Sequence, residues 1–270
     1  MKFLITTTLF LISSSCFAQS ADEPGTASGS FFIPLEKTIF YKLGDKQIPI
    51  RIQQYGNATD IVFINLHANE ITSVQAAQLI LESKGGTLLR IDNGNQRVIR
   101  FRLQGITYAV DPNRVFSHAG IEQNLKETRR TSEAAIDEIE KFAQRILQLI
   151  SENTSCIVAL HNNTNEYYSI KTYLPGNERQ GDARTVYANP EQDPDDIAFT
   201  TDSILYQRMA DLRYNSIWQD NEKVKKDGSL SVWCGEKGRR YINIETEHGK
   251  LRQYTAMLTS LLEILSGENK

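Results

Sequence analysis

Cysteine, histidine and long apolar runs are all scarce in this sequence. The 270 residues include three cysteines and four histidines. Beyond residue 20 no stretch is long and apolar enough for a transmembrane helix, so no later segment is expected to span a bilayer. The formal net charge is only −3, which removes any electrostatic reason to expect nucleic acid or an anionic membrane as partner. Neither Cys156 nor Cys234 has the glycine-rich or basic setting that lowers a thiol pKa, so thiol catalysis is not expected. There is also no internal repeat, and no linker that would divide the chain.

The hydrophobic fraction, 40%, is enough for one sizeable core or two modest ones. The opening MKFLITTTLFLISSSCFAQS has a lysine, a short apolar stretch and a small-residue site ending at Ala18, and reads as a secretory signal peptide over residues 1–18. Cys16 is the residue a lipid anchor would use, but Ser13 stands where that signal has leucine, so export without an anchor is the expectation. Residues 19–36, rich in Gly, Ser and Pro, are expected as a flexible leader, and 37–270 as a single domain. Export leaves Cys156 and Cys234 either to pair or to act as plain core residues, and both readings stay open.

IFYKL, QIPIRI and DIVFINL read as strands by their β-branched and aromatic content. Thr72 and Gln75 suggest a capping box opening a helix that stops at Gly85 and Gly86. TLLRID, RVIRFRL and ITYAVD follow as strands. Ile136, Ile139, Ala143, Ile146 and Ile150 mark one face of a long helix, and SCIVAL is a further apolar strand. Residues 163–200 are polar and broken by proline and glycine, an expected surface excursion, and its acidic EQDPDD (191–196) reads as a solvated loop. A helix near 202–213, strands at NSIWQ and RYINIE, and a helix near 250–265 end the chain. Apolar strands alternating with helices predict an α/β fold: a mixed, mostly parallel central sheet with helices on both faces.

In such sheets ligands bind at the carboxyl ends of the strands. VFINLHANE ends an apolar strand with His67 and Glu70, and SCIVALH ends another with His161. Two imidazoles and one carboxylate make the three-ligand set of a catalytic zinc site, which keeps a further position for water. By itself, a lone H-x-x-E is more often a solvated loop pair.

Two more segments complete a pattern: Asp111-Pro-Asn113-Arg114 in a turn after a strand, and Glu245 in the apolar strand YINIETE. Here the sequence resembles the zinc carboxypeptidases and their relatives, the succinylglutamate desuccinylase and aspartoacylase group. In that superfamily H-x-x-E, Asn-Arg, a histidine at a strand end and a glutamate occur in this order, here over about residues 60–250. The resemblance implies a zinc-carboxypeptidase-like fold and one Zn2+ per chain on His67, Glu70 and His161. It implies Glu245 as the general base, with Glu247 a rival on the same strand face. It implies Asn113 and Arg114 as the grip on a substrate carboxylate, and Arg102 as the group facing a developing oxyanion, with Arg100 the rival. A substrate-binding tyrosine is common in the family, and Tyr167 and Tyr168 are candidates. His118 and His248 are expected at the surface or behind the ligands.

Three functions follow from the resemblance. The first is an exported zinc-dependent hydrolase cleaving an amide bond near a free carboxylate, a carboxypeptidase or peptide amidase on short or peptidoglycan-derived peptides. The second is hydrolysis of N-acyl amino acids by the same groups. The third is a relative that binds peptide without cutting it. In each case the partner is a small peptide or acyl amino acid.

Overall fold

The computed structural model describes residues 31–58, 60–164 and 168–267. The expected signal peptide, the leader up to residue 30 and Tyr167 lie outside the described residues. Two antiparallel strands come first, β1 (Leu35–Leu43) and β2 (Lys46–Tyr55), turning at Gly44, whose φ of 58° suits glycine. Then follow β3 (Ile61–Asn65), α1 (Ile71–Lys84), β4 (Gly86–Ile91) and a separate hairpin, β5 (Ile99–Leu103) and β6 (Ile106–Val110). Helices α2 (His118–Glu127) and α3 (Glu133–Leu147) lead to β7 (Cys156–Asn163). The remainder is β8 (Ala183–Tyr187), β9 (Ile197–Thr200), α4 (Ser203–Asp211), β10 (Asn215–Gln219), α5 (Leu230–Glu236), β11 (Tyr241–Glu247) and α6 (Leu251–Gly267).

Nine strands form one mixed sheet in the order β1-β2-β4-β3-β7-β11-β9-β10-β8. Its central four, β4, β3, β7 and β11, run parallel. The unbroken apolar runs of β3 (61–64) and β7 (156–160) follow from burial on both faces. One face is covered by α1, α4 and α6, the other by α2, α3, α5 and the hairpin, so the expected α/β arrangement with helices on both faces is met. On α3, Ile136, Ile139, Phe142, Ala143 and Ile146 are all buried, each large side chain contributing about 1.5–3 kcal/mol of transfer free energy. Among the described residues no helix is long and apolar enough to cross a membrane. Cys156 and Cys234 are both buried, in the core layers on opposite faces of the sheet, so both are core residues.

Three local expectations are corrected. Thr72 does not cap α1: the helix begins a residue earlier, and the Thr72 Oγ1 accepts from Gly249 N at 2.9 Å. The start of α1 is tied instead to the end of β7, where Asn162 Oδ1 accepts from Ser73 N at 2.9 Å. The segment 163–200 is not purely a surface excursion, because β8 and the wholly buried β9 both lie in it as sheet strands. Nor is EQDPDD simply solvated. Asp195 and Asp196 are 1% and 3% exposed, and the loop is held by Asn163 Nδ2 on Asp195 O (2.8 Å) and Asn215 Nδ2 on Asp193 O (2.7 Å).

Asp196 gives that burial a measurable consequence. Burial pushes its carboxyl up to about 7, with Asp193, Glu247 and Asp195 adding and Lys250 opposing, against an ordinary value of 3.8. A carboxyl raised in the folded state favours folding at low pH, and that contribution is lost as pH rises through the folded value. Unfolding free energy is therefore expected to fall between about pH 4 and 8. Asp196→Asn, which cannot ionise, flattens that fall by about 1–2 kcal/mol after allowance for solvent screening. Urea unfolding across that range checks it, and identical pH profiles for the two proteins contradict it.

Candidate active site

Three adjacent parallel strands deliver the central residues. His67 lies just beyond β3, His161 lies in the last part of β7, and Glu245 stands opposite His161 in the β7–β11 register. The chain turns after β3 so that Glu70 N donates to His67 O at 3.1 Å, which brings Glu70 to the first turn of α1 on the same side. The donor atoms then meet: His67 Nδ1 is 2.9 Å from Glu70 Oε1, His161 Nδ1 is 2.9 Å from Glu70 Oε2, and the two Nδ1 atoms are 3.2 Å apart. All three residues are buried.

This set has the chemistry of a metal site. His67 Nε2 sits 2.7 Å from Asp111 Oδ1, and a proton held there leaves the Nδ1 lone pair facing the cluster. Burial pushes the Glu70 carboxyl up, but His161 and His67 more than offset it and hold it well below the usual carboxylate range. Burial also lowers the His67 pKa, yet Glu70 and Asp111 outweigh it and the net direction is up. Such a site attracts positive charge. Ligands at zinc distances in a tetrahedron stand roughly 3.3 Å apart, close to the spacing found here. His67, Glu70 and His161 therefore fit a divalent ion.

Tyr254, fully buried on α6, supports this arrangement from beneath. Its hydroxyl accepts from His161 N at 3.1 Å and donates to Ile244 O at 2.6 Å, joining the two strands that carry His161 and Glu245. Tyr254→Phe leaves both backbone groups without that partner in a dry setting, and is expected to cost about 1–3 kcal/mol in urea unfolding. A loss below about 0.5 kcal/mol contradicts this role.

Glu245 lines a cavity of about 530 Å³ that also contains Glu70 and His161. Its Oε2 accepts from Asn243 Nδ2 at 3.0 Å, and burial, aided by Glu70 and opposed by His161, raises its pKa. Glu247 is occupied elsewhere, 3.0 Å from Lys250 Nζ. Asn113 and Arg114 line the same cavity on a short 3-10 turn, Pro112–Arg114, where Asp111 accepts from Asn113 N at 2.8 Å. Asn113 Oδ1 accepts from Leu230 N at 3.1 Å, which leaves its amide nitrogen 3.5 Å from His161 Nε2. Arg114 pairs with Asp227 at 3.4 Å rather than with Asp111. The segment bearing Asp227 approaches closely: Gly228 has φ 77°, and a Cβ there would lie 2.7 Å from the Gly120 Cα. Glycine is required at that contact.

Arg102 is the predicted site residue that the structure does not bring in. It is exposed on the β5–β6 hairpin, with Nε donating to Gly105 O at 3.2 Å, and Arg100 is exposed on the same face. Arg97 is the arginine that lies beside the convergent residues. Its Nη1 lies 2.6 Å from Glu70 Oε1 and its Nε 3.3 Å from Asp111 Oδ2, on the cavity wall. A signal for Arg97 existed: it lies in the loop after β4, a parallel strand whose carboxyl end is on the site side, whereas Arg100 and Arg102 lie within a hairpin strand. Asp111, to which the sequence assigned no role in the site, is the carboxylate behind His67. Tyr168 lines the cavity, as does the exposed His248, while His118 is exposed and pairs with Glu140 at 2.8 Å.

No family model matches the sequence, and no curated protein matches it. Among solved structures the chain is similar to thrombin activatable fibrinolysis inhibitor (TAFI), with 10% identity, a TM-score of 0.49, and coverage of 86% of this chain and 71% of that one. It is similar to the murein-tripeptide amidase MpaA from Escherichia coli O157, with 14% identity, a TM-score of 0.47, and coverage of 88% and 95%. A succinylglutamate desuccinylase from Silicibacter sp. TM1040 gives 14% identity, a TM-score of 0.40, and coverage of 86% and 65%. At such scores these likenesses carry no assignment of chemistry, which rests on the side chains in the cavity.

Proposed function

We propose that this protein is an exported zinc-dependent hydrolase that cleaves an amide bond beside a free carboxylate, as a carboxypeptidase or peptide amidase on short or peptidoglycan-derived peptides. One observation carries the reading: a buried carboxylate with a raised pKa, Glu245, shares a cavity with the convergent His67, Glu70 and His161 and with an arginine fork, Arg114. Export is supported by the first 20 residues of the sequence.

His67, Glu70 and His161 would hold the zinc, which would supply a Lewis acid able to polarise a carbonyl and acidify water. Arg114 orients the substrate by pairing its planar guanidinium with the carboxylate, and Asn113 supplies an amide donor beside it. Glu245 accepts the proton of the attacking water and returns it to the leaving amine nitrogen, for which its raised pKa is suited. Arg97 places its N–H donors on the cavity wall, where negative charge develops on the carbonyl oxygen. Asp111 holds the His67 ring and its tautomer.

The test is to incubate the purified protein with stem peptides, ordinary peptides and N-acyl amino acids and to read the products by mass. Release of a carboxy-terminal residue or fragment from a peptide, abolished by a chelator and restored by zinc, is the expected result. Turnover confined to N-acyl amino acids replaces this substrate class with the second, and no turnover of any amide refutes the hydrolase.

A further inference from the structure

One loop meets both members of the Asn113–Arg114 pair. Residues 227–230 lead into α5, and along them Leu230 N donates to Asn113 Oδ1 at 3.1 Å while Asp227 Oδ2 stands 3.4 Å from Arg114 Nη1. The loop is itself fixed. Phe116 N, two residues beyond Arg114, donates to Gly228 O at 2.9 Å, and Asp227 Oδ1 accepts from Ser229 N at 3.0 Å. Gly228 is also pressed on its neighbours, since a Cβ there would lie 2.7 Å from Gly120 Cα and 2.8 Å from Arg114 O. Asp227 therefore lines the cavity from a backbone that is tied at both ends.

A carboxylate beside a guanidinium has two opposite effects on an arriving anion: its charge repels the anion, while its contact fixes the plane of the guanidinium that must receive it. The geometry favours the second. Arg114 Nη1 is engaged twice, by Asp227 Oδ2 and by Asn113 O at 3.0 Å, so the contacts made by the described residues gather at one corner of the group. The Nε–Nη2 edge is then the one presented to a ligand, with two parallel N–H groups that match a carboxylate. Only a carboxylate at position 227 accepts from both Ser229 N and Arg114, because an asparagine has one acceptor oxygen to offer.

We propose that Asp227 is a positioning residue, which the loop before α5 holds against Arg114 so that the Nε–Nη2 edge of the guanidinium faces the substrate carboxylate. The preference of the cavity for a free acid then depends on an acidic residue of the protein. This inference rests on the function proposed above, and it assigns what aligns the grip of that site. It also fixes the sign of the effect: removing the negative charge of Asp227 weakens the binding of an anion, where simple repulsion would have it strengthen.

Binding is measured by calorimetry on the zinc-loaded full chain carrying Glu245→Gln, so that no probe is turned over. The probes are N-acetyl-alanyl-alanine and its carboxy-terminal amide. The acid is expected to bind at least about tenfold more tightly than the amide. Adding Asp227→Asn is expected to lower that ratio by at least about fivefold, through the acid alone, with zinc content and the affinity for the amide unchanged. Asp227→Ser reads the same ratio should the asparagine variant not fold, and a loss of fold alone would weaken both probes together. A ratio that stays the same in the variants overturns the inference, and so does one that rises, which would make Asp227 a competing charge. Equal binding of the two probes before position 227 is touched removes the Arg114 grip as well, so failure of the function proposed above is told apart from failure of this inference.

Discussion

Replacing Glu245 by glutamine is expected to lower turnover of an amide substrate at least about a hundredfold while leaving the bound metal in place. The substitution keeps the shape of the side chain and an oxygen able to accept from Asn243 Nδ2, now at 3.0 Å. It touches none of the atoms of His67, Glu70 or His161 that converge on one another. What it removes is the capacity to take and return a proton. Burial makes that carboxylate a stronger base than one in water, with Glu70 adding to the effect and His161 opposing it. Glu247→Gln supplies the comparison. Its carboxylate is bound by Lys250 at 3.0 Å, and it is expected to change turnover by only a few-fold. Steady-state kinetics with metal analysis on both variants decides the matter, and full activity in Glu245→Gln removes that residue from the mechanism.

The second large effect is expected at His161. Removing its imidazole takes away one of three donor atoms and leaves Glu70, which is 1% exposed, with His67 and Arg97 among the described residues to balance its charge. His161→Ala is expected to weaken zinc binding by more than about a hundredfold, since changes behind the ligands alone cost 10–100-fold. After dialysis against a weak chelator the unmodified protein is expected to retain about one zinc per chain and the variant almost none. Retention of stoichiometric zinc by the variant would show that His161 is not a ligand. Amide hydrolysis is expected to disappear with the metal, and adding zinc in excess should restore little of it.

These expectations rest on residues that differ in how legible they were. His67, Glu70 and His161 stand at or just beyond the ends of apolar runs, which announce themselves because burial on both faces leaves no polar position in them, whereas Glu245 is itself a polar position of β11. The long helix was equally plain, its isoleucines recurring at the helical period along α3. Strands β8 and β9 were not, since each is short and lies in a polar segment broken by proline, where local composition favours a loop. Arg97 and Arg102 illustrate the same limit within the site. Both are arginines near strands, and only the direction of β4 and the outward face of the hairpin separate them.

The sequence by itself determined the alternation of strands and helices, the apolar centre of the sheet, and the residue types at its strand ends. Those features are written locally, in the spacing of apolar side chains and the residues that stop them. Only the tertiary structure decided that Asp111 stands behind His67, that Glu247 belongs to Lys250, and that Asp195 and Asp196 are buried. Such pairings join residues far apart in the chain or choose between near neighbours of the same type. They depend on the order and direction of strands, which no local pattern records.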